Sequence, residues 1–229
     1  MAVPLSRKIT AFISIYRKRG VDGLLDAVAW SIPHWLFYYA HTMLVHSDRP
    51  AWKGSPVDGY KMRPVQADDI RYLAKDGFTD KKIVDRLKAG DKGLLMEKND
   101  EVHSIVWAAS GKKYLKLAGT EFDAGRDGFI WYGAYTDETV RRIGLFYNLG
   151  EEIYNIYSSQ GMSKAWAAIS ANNSYWLEKV CAKMNFKIVG ETYYLKFLFF
   201  NVCYYKCWPQ PTKRMRIFFR NPPKHLSWI

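Results

Sequence analysis

Cysteine is scarce. The 229-residue chain has three, Cys181, Cys203 and Cys207. An odd, sparse set argues against a disulfide framework and for a reducing compartment. Cys203 and Cys207 are too few ligands for zinc on their own. The five histidines (His34, His41, His46, His103 and His225) show no metal-ligand spacing, so no metal is expected. Long apolar runs are also lacking. None reaches the roughly 18–20 residues needed to span a bilayer. Pro33 and His34 interrupt Ala27–Ala40, and Lys196 and Asn201 interrupt Tyr193–Tyr205. Residues 5–19 mix apolar and basic side chains, unlike the apolar stretch of a signal peptide. Acidic residues are absent from Thr192 to Ile229, where Lys196, Lys206, Lys213, Arg214, Arg216, Arg220 and Lys224 stand. Arg7, Lys8, Arg17, Lys18 and Arg19 form a second basic cluster. The net charge of +12 calls for an anionic partner: a phosphorylated ligand, a nucleic acid or an acidic membrane surface.

What is present suits one core domain with extensions. Apolar residues make up 48% of the chain, enough for a substantial core, and it carries 9 Trp, 16 Tyr and 12 Phe. Leu5, Ile9, Phe12, Ile13 and Tyr16 fall on one face of a helix that Gly20 ends. A second helical pattern starts near Gly23, through Leu24, Leu25, Val28, Ile32, Trp35 and Leu36, with Pro33 breaking or restarting it. Aromatics crowd Trp30–Tyr39, and Asp48–Gly59 reads as a linker. The core then begins. Lys61–Val65 reads as a strand, and Ala67–Lys75 and Asp80–Ala89 as helices, with Asp80 as a cap. Gly93–Glu97 and Val102–Ala109 read as strands joined by the tight turn Lys98–Glu101. A short strand Tyr114–Ala118 and a polar loop Glu121–Gly128 follow. The resulting division is an amphipathic, aromatic extension over 1–55, a core over 56–200 and a basic aromatic tail over 201–229.

Residues 128–190 carry the most information. The apolar strand Phe129–Tyr135 leads through the turn Thr136–Thr139 to Arg141, Arg142 and Gly144, which open a helix Arg142–Gln160. A strand feeding a helix through a basic, glycine-containing turn is suited to hold phosphates. The free N–H groups at the helix start point outward, and the helix dipole favours an anion there. Two cations in a row at a helix start are mildly unfavourable unless an anion joins them. Next come a strand Ser163–Ala168, Asn172 and Asn173, a helix Ser174–Met184, and strands Phe186–Glu191 and Tyr193–Phe200. This order resembles the GCN5-related N-acetyltransferase (GNAT) family, whose pyrophosphate loop is Gln/Arg-x-x-Gly-x-Gly/Ala. Arg141, Gly144 and Phe146 occupy its three defined places, the last a Phe where a small residue is usual. Asn185 and Phe186 stand where Gly-Phe is usual. Tyr60–Asp69 is similar to the family's first strand running into its first helix.

The resemblance implies a mixed, mostly antiparallel α/β sheet flanked by helices, and acetyl transfer from acetyl-CoA to a primary amine. Backbone N–H groups of Arg142, Ile143, Gly144, Leu145 and Phe146 would line the pyrophosphate, with Arg141 and Arg142 adding charge. Ala134, Tyr135 and Thr136 would pair with the pantetheine arm, and Asn173 would hydrogen-bond it. The family's proton donor, a Tyr five places before the aromatic of Gly-Phe, falls on Cys181. A buried structural cysteine is the commoner case, and Tyr175 and Tyr147 are further candidates. Among carboxylates, Glu121 is favoured as general base over Asp123, Asp127 and Glu97, and an ordered water chain is the alternative.

Three activities stay open: N-acetyl transfer, transfer of a longer chain from acyl-CoA or acyl carrier protein, and a non-catalytic CoA- or membrane-binding module. Relatives with a similar N-terminal extension belong to surface-polysaccharide or lipid-linked sugar pathways, which implies an amino-sugar acceptor. The basic aromatic ends suit an anionic membrane surface better than a nucleic acid, where stacking sites are usually open strands. The expected location is the cytoplasm, peripheral to the inner face of the membrane; a homodimer is compatible with the sequence.

Overall fold

The computed structural model describes residues 5–33, 36–48, 54–69, 80–115, 117–198, 200–207 and 212–219; for 5–12, 30, 80–81 and 212–219 it describes the backbone alone. The chain opens with α1 (Leu5–Ser31), which is broken at Gly20, where φ is 62° and ψ is −154°. The glycine placed between the two apolar patterns is thus the point where the helix turns. After it come β1 (Phe37–Ser47), β2 (Lys61–Pro64), α2 (Asp80–Lys88), β3 (Lys92–Lys98), β4 (Glu101–Ser110), β5 (Lys112–Leu115), β6 (Thr120–Asp123) and β7 (Gly128–Thr136). The second half holds α3 (Leu145–Ser158), β8 (Lys164–Ser170), a π-helical turn Trp176–Val180 running into α4 (Cys181–Lys183), β9 (Lys187–Phe197), β10 (Phe200–Cys207) and β11 (Thr212–Phe219).

Nine strands form one sheet in the order β11-β10-β9-β1-β8-β7-β4-β3-β2, and β5 and β6 pair separately. Every neighbouring pair is antiparallel except β7 and β8. This is the mixed, mostly antiparallel sheet flanked by helices that the resemblance implied. The turn Lys98–Glu101 forms as expected, with Asn99 and Asp100 at φ 52° and 62°, the left-handed pair a two-residue hairpin requires.

Two layers of side chains hold the sheet. On α3, Leu145, Leu149, Ile153 and Tyr157 recur every fourth residue and are all buried. Burying a large apolar side chain contributes about 1.5–3 kcal/mol, so this stripe fixes the helix on the sheet. The Tyr157 hydroxyl donates to Ala108 O at 2.9 Å, and its ring stacks on Phe129 at 4.6 Å. On β8 the alternation is strict: Ala165, Ala167 and Ile169 join the α3 side of the core, while Trp166 and Ala168 pack with Leu44, Phe122 and Ile130 under β5 and β6.

Several expectations need correction. The segment expected as a helical, aromatic extension contains β1, which lies inside the sheet between β8 and β9. A boundary at 55/56 therefore leaves β1 on one side and both its partners on the other. The part expected as a basic tail from 201 supplies β10 and β11. The helix expected from Arg142 begins at Leu145, part of the loop Glu121–Gly128 is β6, and Tyr193–Phe200 is no separate strand because β9 runs unbroken from Lys187 to Phe197. The expected helix Ala67–Lys75 lies outside the described residues beyond Asp69, as does the tail from Trp208 apart from β11.

Candidate active site

The parallel pairing of β7 and β8 runs from Gly128↔Lys164 to Trp131↔Ala167 and ends there. Beyond that point each strand keeps its outer partner. Tyr135 and Thr136 still face Ile105 and Ser104 of β4, and Ala168, Ile169 and Ser170 still face Leu44, Met43 and Thr42 of β1. The two strands have therefore parted. A β-bulge on β7 contributes: between Trp107↔Tyr132 and Ile105↔Tyr135, Gly133 and Ala134 of β7 stand against the single residue Val106 of β4. Gly133 sits in this bulge at φ +57°, a conformation that costs a residue with a Cβ.

A cleft of about 620 Å³ opens where the strands part. One wall is β7 at Ala134, Tyr135 and Thr136; the other is Ser170, Asn172 and Asn173 at the end of β8. Its far end is the start of α3. There Gly144 is the N-cap, at φ 104° and ψ 0°, with no side-chain cap. The first helical bonds come from Tyr147 N and Asn148 N to Gly144 O, at 3.0 and 3.3 Å. The N–H groups of Leu145 and Phe146 precede them and have no carbonyl within the helix to reach. A Cβ built on Gly144 would meet only Val57 Cγ2, at 4.0 Å, so the backbone here is open to close approach. Arg142 holds φ 74°, unusual for a residue other than glycine.

Of the residues expected to hold acetyl-CoA, Ala134, Tyr135, Thr136, Arg141, Arg142, Gly144, Leu145, Phe146 and Asn173 all line this cleft. Ile143 lies between them in the loop, half-exposed. Arg141 is anchored, with Nη1 2.9 Å from Glu138 Oε1 and Nε donating to Thr136 O at 3.2 Å. The Arg142 guanidinium lies 5.6 Å from the centre of the Tyr175 ring. Phe146 packs edge-on against Trp131 and Trp176, so its bulk joins the core at the first turn of α3. Asn173 Oδ1 accepts from Trp176 N at 3.2 Å, capping the next helical segment.

The expected catalytic residues separate. Tyr175 and Tyr147 line the cleft; burial and then Tyr175 push the Tyr147 hydroxyl above its ordinary value. Cys181 is buried among the core side chains against α3 and does not line the cleft. Burial pushes its thiol up to about 11. Glu121 lies on β6 opposite Tyr114, away from the cleft lining. Ser170, Trp176, Val140 and Val180 line the cleft without having been expected there. Of these, only Ser170 leaves a signal in the sequence, as the polar residue closing an alternating strand. Among the described residues no group of three or more His, Cys, Asp and Glu is placed to hold a metal ion, and no helix is long and apolar enough to cross a membrane.

Solved structures share this architecture. A Drosophila protein superposes with a TM-score of 0.51 at 13% identity, over 80% of this chain and 57% of that one. A Novosphingobium aromaticivorans protein assigned to the GNAT family of acetyltransferases superposes with a TM-score of 0.50 at 9% identity, over 68% of this chain and 62% of that one. The chain has the GNAT fold. The resemblance read from Arg141, Gly144 and the order of elements is thereby borne out for the architecture. No protein-family model matches the chain, and no curated protein matches it in sequence. The chain spans about three-fifths of the length of each of these two solved structures.

Proposed function

We propose that this protein transfers an acetyl group from acetyl-CoA to a primary amine by direct attack in a ternary complex. The observation that carries this reading is the parting of β7 and β8 beside an uncapped helix start. The cleft joins the β7 edge from which β8 has parted, which can hydrogen-bond an amide-bearing arm, to the helix-start N–H groups and two arginines, which suit a pyrophosphate. Bound there, acetyl-CoA supplies an activated thioester. Gly144 admits the phosphates, Arg142 adds charge, and Ala134–Thr136 hold the arm along β7. Tyr147 and Tyr175 are the candidates for returning a proton to the thiolate, because both reach the cleft and Cys181 does not. Calorimetry with acetyl-CoA tests the reading. Binding by the wild type that is lost in Gly144→Val supports it; no binding by the wild type overturns it.

An amino sugar is the acceptor class the resemblance implies, and competition between glucosamine and simple alkyl amines tests that choice. Longer acyl donors form a second reading, favoured by the apolar stretch of the cleft at Val140, Phe146, Trp176 and Val180. Turnover measured with acyl-CoA donors of rising chain length, and with acyl carrier protein, separates the two. Association with an anionic membrane is part of the proposal; it is supported by the exposed Ile13, Tyr16 and Val21 on α1.

A further inference from the structure

Beside the acyl cleft lies a smaller cavity of about 220 Å³. It sits where β1 outruns β8. The β1–β8 pairing stops at Thr42↔Ser170, while β1 continues back to Phe37 along β9. The strand edge exposed there is roofed by α1, through Asp26 and Ala29, and the cavity is lined on the strand side by Tyr39 and His41. Ser170 and Asn172 belong to both cavities, so one wall separates them. That wall is the β8 side of the cleft, across from Ala134, Tyr135 and Thr136 of β7, along which the arm of the donor would lie.

A group of titratable side chains is linked to this cavity through His41 and Tyr39. His41 Nδ1 is 3.2 Å from Asp22 Oδ2 on α1, and His41 Nε2 is 3.4 Å from Glu191 Oε2 on β9. The imidazole stacks on Tyr193 at 4.1 Å. Tyr39 donates to Asp22 at 2.7 Å and Tyr193 to Glu191 at 3.2 Å. Lys206 Nζ of β10 lies 4.0 Å from Glu191. Asn172 donates to Asp26 at 2.7 Å and accepts from Arg19. His41 thus stands between two carboxylates from two elements. A neutral imidazole has one N–H and can donate to only one of them, leaving its lone pair facing the other. Taking up a proton lets both nitrogens donate.

We propose that this cavity is the acceptor site, that it takes a compact primary amine as its ammonium ion, and that His41 removes the proton. The proposal rests on the acetyltransferase reading above. Asp26, which lines the cavity and has Arg19 Nη2 3.4 Å away, draws the cation in, and Asp22 and Glu191 add negative charge behind His41. One ammonium proton passes to His41, freeing the nitrogen lone pair. That pair forms the C–N bond to the thioester carbonyl carbon. The C–S bond breaks with its electrons on sulfur, the second nitrogen proton is released, and the thiolate takes one up. The products are the amide and the CoA thiol, and His41 returns its proton to solvent past Asp22, which is half-exposed. Asp22 and Glu191 are positioning residues; they act through the ring.

The test uses the full chain, with ethanolamine, putrescine and glucosamine as probe amines and acetyl-CoA as donor. Calorimetry first measures acetyl-CoA binding by the wild type, His41→Asn and Asp22→Asn. Absence of binding by the wild type would sink the acetyltransferase reading itself. Unchanged binding by the variants, with kcat in His41→Asn lower by about 100-fold or more and its rise with pH flattened, is the expected result. Asp22→Asn should lower kcat less while keeping the pH dependence of a histidine base. If His41→Asn fails to fold, Asp22→Asn and the ring resonances of wild-type His41 during amine titration carry the test. Normal donor binding with wild-type turnover and pH profile in both variants overturns the proposal. So does a panel in which no amine is acetylated and none shifts the His41 resonances.

Discussion

Gly144 sets the sharpest expectation. Its φ of 104° is open to glycine and strained for a β-branched residue. Gly144→Val should lower acetyl-CoA affinity by 10-fold or more in calorimetry, by closing the approach to the helix N–H groups. Cys181 sets the opposite expectation. It is packed against α3, and Cys181→Ala should cost about 1 kcal/mol of stability, seen as a lower melting temperature, with kcat held within about twofold. The same burial protects the sulfur. Its folded-state value lies near 11, above its ordinary one, so the neutral thiol stabilises the fold at neutral pH and that contribution fades as pH rises toward 11. Iodoacetamide should label the half-buried Cys207 before Cys181, and a faster Cys181 would contradict this packing. At this scale the phosphate loop is legible in the sequence, because Arg141 and Gly144 depend on local backbone geometry. His41, Asp22 and Glu191 are not. They come from three elements far apart in the chain, and no spacing rule links them.

The elements read well where burial is one-sided. The helix α3 shows its stripe every fourth residue, and the β3–β4 hairpin announces itself through Asn99 and Asp100. The strand β1 does not. Flanked by β9 along most of its length and by β8 over Thr42–Ser47, Phe37–Ser47 carries apolar residues on both faces and shows no period of two. The helical spacing of Leu24–Leu36 leads directly into it, so aromatic residues that pair in a sheet read as a continued helix. The bulge on β7 is equally silent, since Gly133 carries no sign of its φ in the sequence. Its effect is testable. A Cβ at Gly133 would stand 2.8 Å from Arg86 Nη1, and Arg86 is held over the rings of Trp107 and Tyr132. Gly133→Val should cost about 1–3 kcal/mol and weaken acetyl-CoA binding, because the part of β7 that lines the cleft begins at this bulge. Denaturant melts and calorimetry on the same variant check both effects.

For the whole molecule, the proposed membrane association rests on the +12 charge and the exposed Ile13, Tyr16 and Val21 of α1. The 229-residue chain should sediment with phosphatidylserine vesicles, less so as salt rises. Ile13→Glu together with Tyr16→Glu should abolish it, and unchanged sedimentation would count against the membrane. A truncation near Ser55 cannot serve as the control, because it removes β1 from the sheet. The overall architecture is legible from element order alone, as the strand, phosphate turn, helix and strand of residues 128–190 show. The insertion of β1 is not, and it bears on how the protein is made. Thr42 pairs with Ser170 and Phe37 with Phe197, so the middle of the sheet closes across most of the chain. Such distant pairings slow folding, since the loop entropy is lost before the contacts form. During synthesis β1 leaves the ribosome before either of its neighbours exists, and it carries an aromatic strand with two open edges until the second half arrives.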